Sequence, residues 1–195
     1  MPYVVTDTAT GYCKRWGNID CSTDPGFNPA TETNTEVPDL VLLQTLSRYE
    51  VKVSAGVLAE MNQAEKDAVE ALLLPGNKLD RYLEFDARTN ELILGGFEFP
   101  PGSGRIFSLS PTAQSNLLGM YTAKDHPAMT WPLLWPTKLD DYEYSIPDVA
   151  TFEMFYLTAL GTIRVYRDSG TALKEVVRAC TTRAQVDAVV DDRGL

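Results

Sequence analysis

Between Ser145 and Cys180 the sequence SIPDVATFEMFYLTALGTIRVYRDSGTALKEVVRAC carries one sustained periodicity, and it limits what the rest of the chain can do. Val149, Phe152, Tyr156, Ala159, Ile163, Tyr166, Leu173, Val177 and Cys180 recur at alternating spacings of three and four, with Gly170 filling one slot. That is the pattern of an amphipathic helix. Ser145 and Asp148 form a capping-box pair at its start, and Pro147 suits a first turn, where a missing N–H costs nothing. Glu153, Arg164, Arg167, Lys174, Glu175 and Arg178 make the solvated side, and Gly170 marks a place where the helix can break. Phe155 and Leu160 widen the apolar stripe beyond a two-position coiled-coil seam. The stripe is therefore expected to pack inside the chain, against shorter helices read at 110 and 182.

The 195 residues suffice for one sizeable core, or for one core with a small satellite module. With 44% hydrophobic and 23% charged residues the chain has a globular composition rather than a disordered one. Its net charge of −10 repels phosphate backbones, and no basic cluster offsets this, so a nucleic-acid partner is not expected. The opening MPYVVTDTATGYCKRW lacks the basic-then-apolar layout of a signal peptide. No apolar run approaches the roughly 20 residues of a membrane-spanning helix. Synthesis in the cytosol and no membrane partner are the expectation. The three cysteines have no metal-ligand spacing. Cys13 and Cys21 can face each other across a short hairpin, but reduced, partly buried thiols are the preferred reading.

Residues 1–60 read as a β-rich module. Tyr3-Val4-Val5 and Tyr12 to Trp16 form a hairpin around Asp7 to Gly11. Cys21 to Pro38, rich in Ser, Thr, Asp, Asn and Pro, reads as a loop-rich arm anchored only by Phe27. Leu40 to Leu46 and Tyr49 to Val53 are strand candidates, and Ser54-Ala55-Gly56 turns a second small hairpin. Asn62 and Glu65 open a connecting helix over 61–76, which Leu74-Pro75-Gly76-Asn77 should stop. From 77 to 195 a C-terminal domain is expected. Tyr82 to Asp86 and Glu91 to Leu94 flank a polar turn and read as a hairpin, and Phe97-Glu98-Phe99 resumes a strand. Ser110 caps a helix with Pro111 at its first position, turning Leu117, Leu118 and Met120 inward. Asp140-Asp141 turns between short strand pieces. Thr182 and Gln185 open a terminal helix with Val186, Val189 and Val190 on one face. The fold class that results is α+β, with short antiparallel strands packed on one long helix and two shorter ones.

Little here reads as catalysis. The single histidine, His126, lies in Lys124-Asp125-His126-Pro127, a surface-loop context with no nucleophile or base to complete a triad. One His and three dispersed Cys do not make a zinc set. Asp140-Asp141 and Asp191-Asp192 read as solvated acidic turns rather than a glycosidase pair. Neither a calcium loop nor a phosphate-cradling glycine motif is present. No enzyme activity, metal or cofactor is expected. The aromatic candidates for a partner interface are Trp16, Phe27, Trp131 and Trp135, with the Pro-flanked Trp131 and Trp135 expected to be partly exposed.

Two portions of the chain resemble phage proteins. Leu94-Gly95-Gly96-Phe97-Glu98-Phe99, Phe107-Ser108-Leu109-Ser110 with Gln114, Asn116 and Leu117, and Trp135-Pro136-Thr137-Lys138-Leu139-Asp140-Asp141 resemble an uncharacterised domain found at the C-terminal end of bacteriophage tail-fibre and tail-assembly proteins. The pattern continues with Gly170-Thr171-Ala172-Leu173-Lys174 and Ala179-Cys180-Thr181. Thr8-Ala9-Thr10-Gly11, Arg15-Trp16-Gly17 and Phe27-Asn28-Pro29-Ala30-Thr31-Glu32-Thr33 are similar to the opening of small phage structural proteins. The resemblance implies an architectural role in the virion: a tail-fibre, adaptor or appendage component that binds other virion subunits and self-associates within the particle. A capsid decoration protein, a fibre-assembly chaperone and a cell-wall hydrolase are the alternatives. The chain has no shaft repeats, which favours a short adaptor over a long fibre.

Overall fold

The computed structural model describes residues 3–8, 13–17, 28–37, 43, 46, 50–140 and 142–194. The class is α+β, and the chain divides into two compact units, Met1–Asn77 and Lys78–Leu195.

In the first unit β1 (Tyr3–Asp7) is the centre of a three-stranded antiparallel sheet, between β2 (Cys13–Gly17) and β3 (Glu32–Glu36). Successive strand residues point to opposite faces, and Val4 and Val5 are both fully buried, so both faces of β1 are covered. Val4, Cys13 and Val37 form the core, with Leu43, Val53 and Leu58 against it. Part of the expected arm is therefore strand. Glu32 to Glu36 pairs along the whole of β1, which the polar sequence ETNTE conceals. Its first carboxylate accepts the Asn28 N–H at 3.0 Å, Lys14 Nζ at 3.3 Å and Arg15 Nη2 at 3.0 Å, and together these hold Glu32 below the usual carboxylate range. Cys21, Phe27 and most of the strand candidate at 40–46 lie outside the described residues. The second hairpin, β4 (Val51–Ser54) and β5 (Val57–Glu60), turns through Ala55 and Gly56, both at positive φ (51° and 79°), as a type I′ turn requires.

The helix that starts at Asn62 does not stop at Pro75. It runs as α1 from Gln63 to Gly95, and the hairpin expected over 82–94 is its second half. Asn62 Oδ1 accepts the Glu65 N–H at 3.0 Å while Glu65 Oε2 accepts the Asn62 N–H at 2.9 Å, the reciprocal cap read from the sequence. Pro75 is exposed, and the helix bears the loss of the bond its N–H would have made together with the ring's contact with the carbonyl four residues back.

The second unit then adds two minimal hairpins: β6 (Phe97–Glu98) with β7 (Ile106–Phe107), and β8 (Leu133–Pro136) with β9 (Glu143–Ile146). Between them lies α2 (Pro111–Ala123). After them come α3 (Val149–Ala179) and the short α4 (Arg183–Asp187). At Gly96 (φ 99°) any Cβ would collide with the Phe107 carbonyl, so the entry to β6 demands glycine. Lys138, on the β8–β9 turn, donates to the Leu94 and Gly95 carbonyls at 2.7 and 3.0 Å and supplies the cation that the last turn of α1 lacks.

Helix α3 is the spine of this unit, and two details of its expected form are corrected. Its N-cap is Asp148, whose carboxylate accepts the Thr151 N–H at 2.8 Å; Ser145 belongs to β9. It also continues unbroken through Gly170. There an added Cβ would lie 2.5 Å from Thr89 Oγ1, so the glycine permits close approach of α1 rather than a break. Phe152, Phe155, Ala159, Ile163, Gly170 and Val177 are buried. The core is Phe97, Phe99, Phe107, Leu109, Leu117, Trp135, Ile146, Phe152 and Phe155, with Ile93 from α1. The stripe packs within the chain, as expected.

Of the two C-terminal acids Asp192 is exposed, as a solvated turn residue is, but Asp191 is not solvated. Asp191 grips Arg193 through both carboxylate oxygens (2.8 and 2.6 Å), and Arg193 also donates to Thr89 Oγ1 at 2.8 Å and the Phe85 carbonyl at 3.2 Å. The side chains are only 9% and 14% exposed for Arg193 and Asp191.

Candidate functional site

The four aromatic candidates separate. Trp16, opposite Val4 on β2, is 44% exposed and presents its ring to solvent. Trp131 is half-buried against the core, its ring centroid 5.9 Å from that of Phe152. Trp135 is only 8% exposed and packs edge-on to Phe155 at 5.6 Å, so the expectation that it is surface-exposed is corrected. The strand parity explains why. Tyr144 and Ile146 of β9 face the core, and Trp135 and Leu133 are their partners across the ladder. Phe27 lies outside the described residues.

A surface that the sequence reading missed lies on the outer side of α3. Ala150, Met154, Leu157, Gly161 and Val165 recur at steps of four, three, four and four, on the side of the helix away from its buried stripe. Met154, Leu157 and Val165 are 57%, 60% and 65% exposed. Gly161 is exposed at the centre of this row, and an added Cβ there would meet nothing within 4 Å. A mid-helix glycine costs about 1 kcal/mol relative to alanine. Close packing explains Gly170; nothing among the described residues explains Gly161. Beside this row Leu160, 43% exposed, enters a groove of about 330 Å³ bounded by Leu117, Leu118, Tyr156 and Ile163. Leu118, expected to point inward, is 56% exposed on the opposite lip. The apolar surface thus runs from the outer row into the α2–α3 groove. The signal was present in the sequence but masked, because the wider and more aromatic stripe on the same helix dominates its periodicity.

A second concavity, of about 640 Å³, lies between one face of α2 and the strand β8. Ser108, Ser110, Thr112, Ser115, Asn116 and Thr137 supply its polar groups, Met120, Leu134 and Trp135 its apolar ones, and Gly119 leaves its wall open.

Titratable groups do not converge on either surface. Lys124 is held between Glu153 at 2.8 Å and Asp125 at 2.9 Å; Glu153 first and then Asp125 raise its pKa above the ordinary lysine value, and the ion pair ties the end of α2 to α3. Asp140 is pushed down by the Thr137 hydroxyl and the Tyr142 N–H, which it accepts at 3.1 Å to close the β8–β9 turn. His126 is exposed, and its Nδ1 accepts the Ala128 N–H at 3.1 Å. Among the described residues no three His, Cys, Asp or Glu side chains are grouped to hold a metal ion, and no helix is long and apolar enough to cross a membrane. No protein-family model, curated protein or solved structure matches the chain.

Proposed function

We propose that this protein is a structural component of a larger protein assembly, binding a neighbouring subunit through the outer face of α3. The observation that carries the reading is the exposed row Met154, Leu157 and Val165 around Gly161. A helix face this apolar is stable in solution only at the cost of its hydration, and glycine at its centre lets a second backbone approach closely. Trp16 on the first unit is a second exposed anchor. The resemblance of residues 94–190 to the phage tail-fibre domain supports a virion as the assembly and a tail-fibre, adaptor or appendage position within it. In that reading the chain's partners are other virion subunits and further copies of itself.

Leu157→Glu and Gly161→Leu test the interface. Both positions are exposed in the single chain, so Leu157→Glu should alter stability by no more than about 0.5 kcal/mol, and Gly161→Leu should raise it by up to about 1 kcal/mol because leucine is the better helix former. Both should abolish association of the purified protein measured by sedimentation velocity, and incorporation into purified particles measured by quantitative mass spectrometry. A protein that remains monomeric and is missing from particles would overturn the reading; so would variants that incorporate normally.

A further inference from the structure

The cleft between α2 and β8 combines an uncharged lining with a row of hydroxyl and amide groups. Twelve of the described residues line it and none of these is charged, in a chain of which 23% is charged. An ammonium, carboxylate or phosphate ligand would therefore enter it without a counter-charge, and would give up hydration for nothing. What the walls offer is hydroxyl and amide groups spaced over apolar surface. Thr112 and Asn116, one turn apart on α2, make no side-chain hydrogen bond among the described residues. Ser108 and Ser110 each accept a main-chain N–H, from Ser110 and Ala113, at 3.1 and 3.2 Å, which leaves both hydroxyl protons to donate. Met120, Leu134 and Trp135 form the apolar part of the lining.

The β8 side supplies main-chain groups as well. The Thr137 N–H donates to the Tyr142 carbonyl at 2.9 Å, so Thr137 and Tyr142 are a bonded pair of the hairpin. Bonded and non-bonded pairs alternate along an antiparallel ladder. In the observed register Trp135–Tyr144 and Leu133–Ile146 are then bonded, and Leu134 and Pro136 turn their main-chain groups away from β9. This open edge would invite an added peptide strand, but Pro132 and Pro136 both fall on its outward positions and have no N–H to donate. Prolines so placed blunt an edge against pairing. The edge offers one N–H, at Leu134, and isolated carbonyls, which is too few donors for a ladder and enough for a small polar ligand.

Gly119 completes the case. It lies in the middle of α2, lines the cleft, and has nothing within 4 Å of where a Cβ would stand. No packing among the described residues requires it, while any side chain there would protrude into the space. The volume, about 640 Å³, lies within the range of small-molecule sites, roughly 300–1,000 Å³.

We infer that the α2–β8 cleft is a binding site for a neutral, polyhydroxylated ligand, a saccharide whose C–H face lies on Met120, Leu134 and Trp135 and whose hydroxyls exchange bonds with Ser108, Ser110, Thr112 and Asn116. The inference is independent of the assembly interface, which uses other residues.

The test is NMR titration of the full-length protein with the methyl glycosides of glucose, galactose, mannose and N-acetylglucosamine and with their disaccharides. Sodium phosphate, sodium acetate and an uncharged Ser/Thr/Asn peptide serve as competitor probes. At least one glycoside should shift the amide signals of Thr112, Asn116, Gly119 and Leu134, with dissociation constants in the millimolar range or tighter. Gly119→Leu should weaken that binding by about tenfold or more while raising the melting temperature, because leucine is the better helix former. That pairing of opposite effects separates a filled site from a damaged fold. Asn116→Ala, at an exposed position, should weaken binding severalfold with the melting temperature unchanged. Binding of phosphate, acetate or the peptide in place of every glycoside would overturn the inference, as would glycoside binding that Gly119→Leu leaves intact, or no glycoside binding at all.

Discussion

Phe155 is the residue on which the second unit's core converges. Its ring lies 4.9 Å from Phe97, 5.2 Å from Phe99, 4.9 Å from Phe107 and 5.6 Å from Trp135, mostly edge to face. Phe155→Ala should cost about 3–5 kcal/mol, at or above Phe152→Ala, when both are compared by urea denaturation. The Asp191–Arg193 pair offers a test with a pH signature. The Arg193 guanidinium holds the Asp191 carboxyl below its ordinary value, so the stabilisation is fully present above the unfolded carboxylate pKa, about 4, and is lost as pH falls through the lower folded value. Asp191→Asn should start less stable at neutral pH and then lose less than the parent on acidification below about pH 4, followed by thermal melts. Arg193→Ala, which leaves the half-buried Asp191 with only the residue 193 main-chain N–H and removes the bonds to Thr89 and Phe85, should cost about 1–3 kcal/mol. Ala55 occupies the left-handed region in the β4–β5 turn at a cost of about 1 kcal/mol. Ala55→Asn, with Gly56 following, matches the type I′ preference and should raise the melting point of the first unit by a few degrees.

At the scale of elements, the helix at 149–179 was readable because its inward positions are nearly all apolar or aromatic. Helix α1 was not. Its inward row at fourfold spacing is Val69, Leu73, Asn77, Arg81, Phe85, Thr89 and Ile93, and three of these are polar. Arg81 reaches the Val189 carbonyl while stacking over Phe85 at 5.1 Å, and Thr89 meets Arg193. These residues face the C-terminal segment, whose position no local window contains. Local alternation at Tyr82 to Asp86 and Leu92 to Leu94, with Pro75-Gly76 upstream, outweighed the weak helical period. Since Pro75 sits exposed in a continuous helix, Pro75→Ala should add helical circular dichroism and stabilise by up to about 3 kcal/mol. A loss of stability would mean that the proline shapes α1 in a way the fold needs. The outer face of α3 was hidden for the opposite reason: two apolar rows share one helix, and the stronger one accounts for the period. Neither candidate surface was therefore legible as a site. Of the interface residues that the sequence named, and among the described residues, Trp16 is exposed and Trp131 is partly exposed as expected.

For the molecule as a whole, the division at Asn77 means that local changes should stay local. Ala55→Asn and Phe155→Ala lie in different units, and their effects on stability should add within about 0.5 kcal/mol in the double variant, by denaturant titration. Coupling well beyond that would show the units to unfold as one. By itself the sequence determined the α+β class, the caps at Asn62, Ser110 and Thr182, the β1–β2 and β4–β5 hairpins, and the long helix with its buried stripe. These are properties of neighbouring residues: hydrogen-bond capping, turn conformation and the period of one face. Only the tertiary structure decided that Pro75 lies within a helix, that Trp135 is core, that Asp191 closes on Arg193, and that Gly119 and Gly161 have no packing reason among the described residues. Each of those depends on what lies across space from the residue, and a helix or strand does not record in its own sequence which of its faces will be covered.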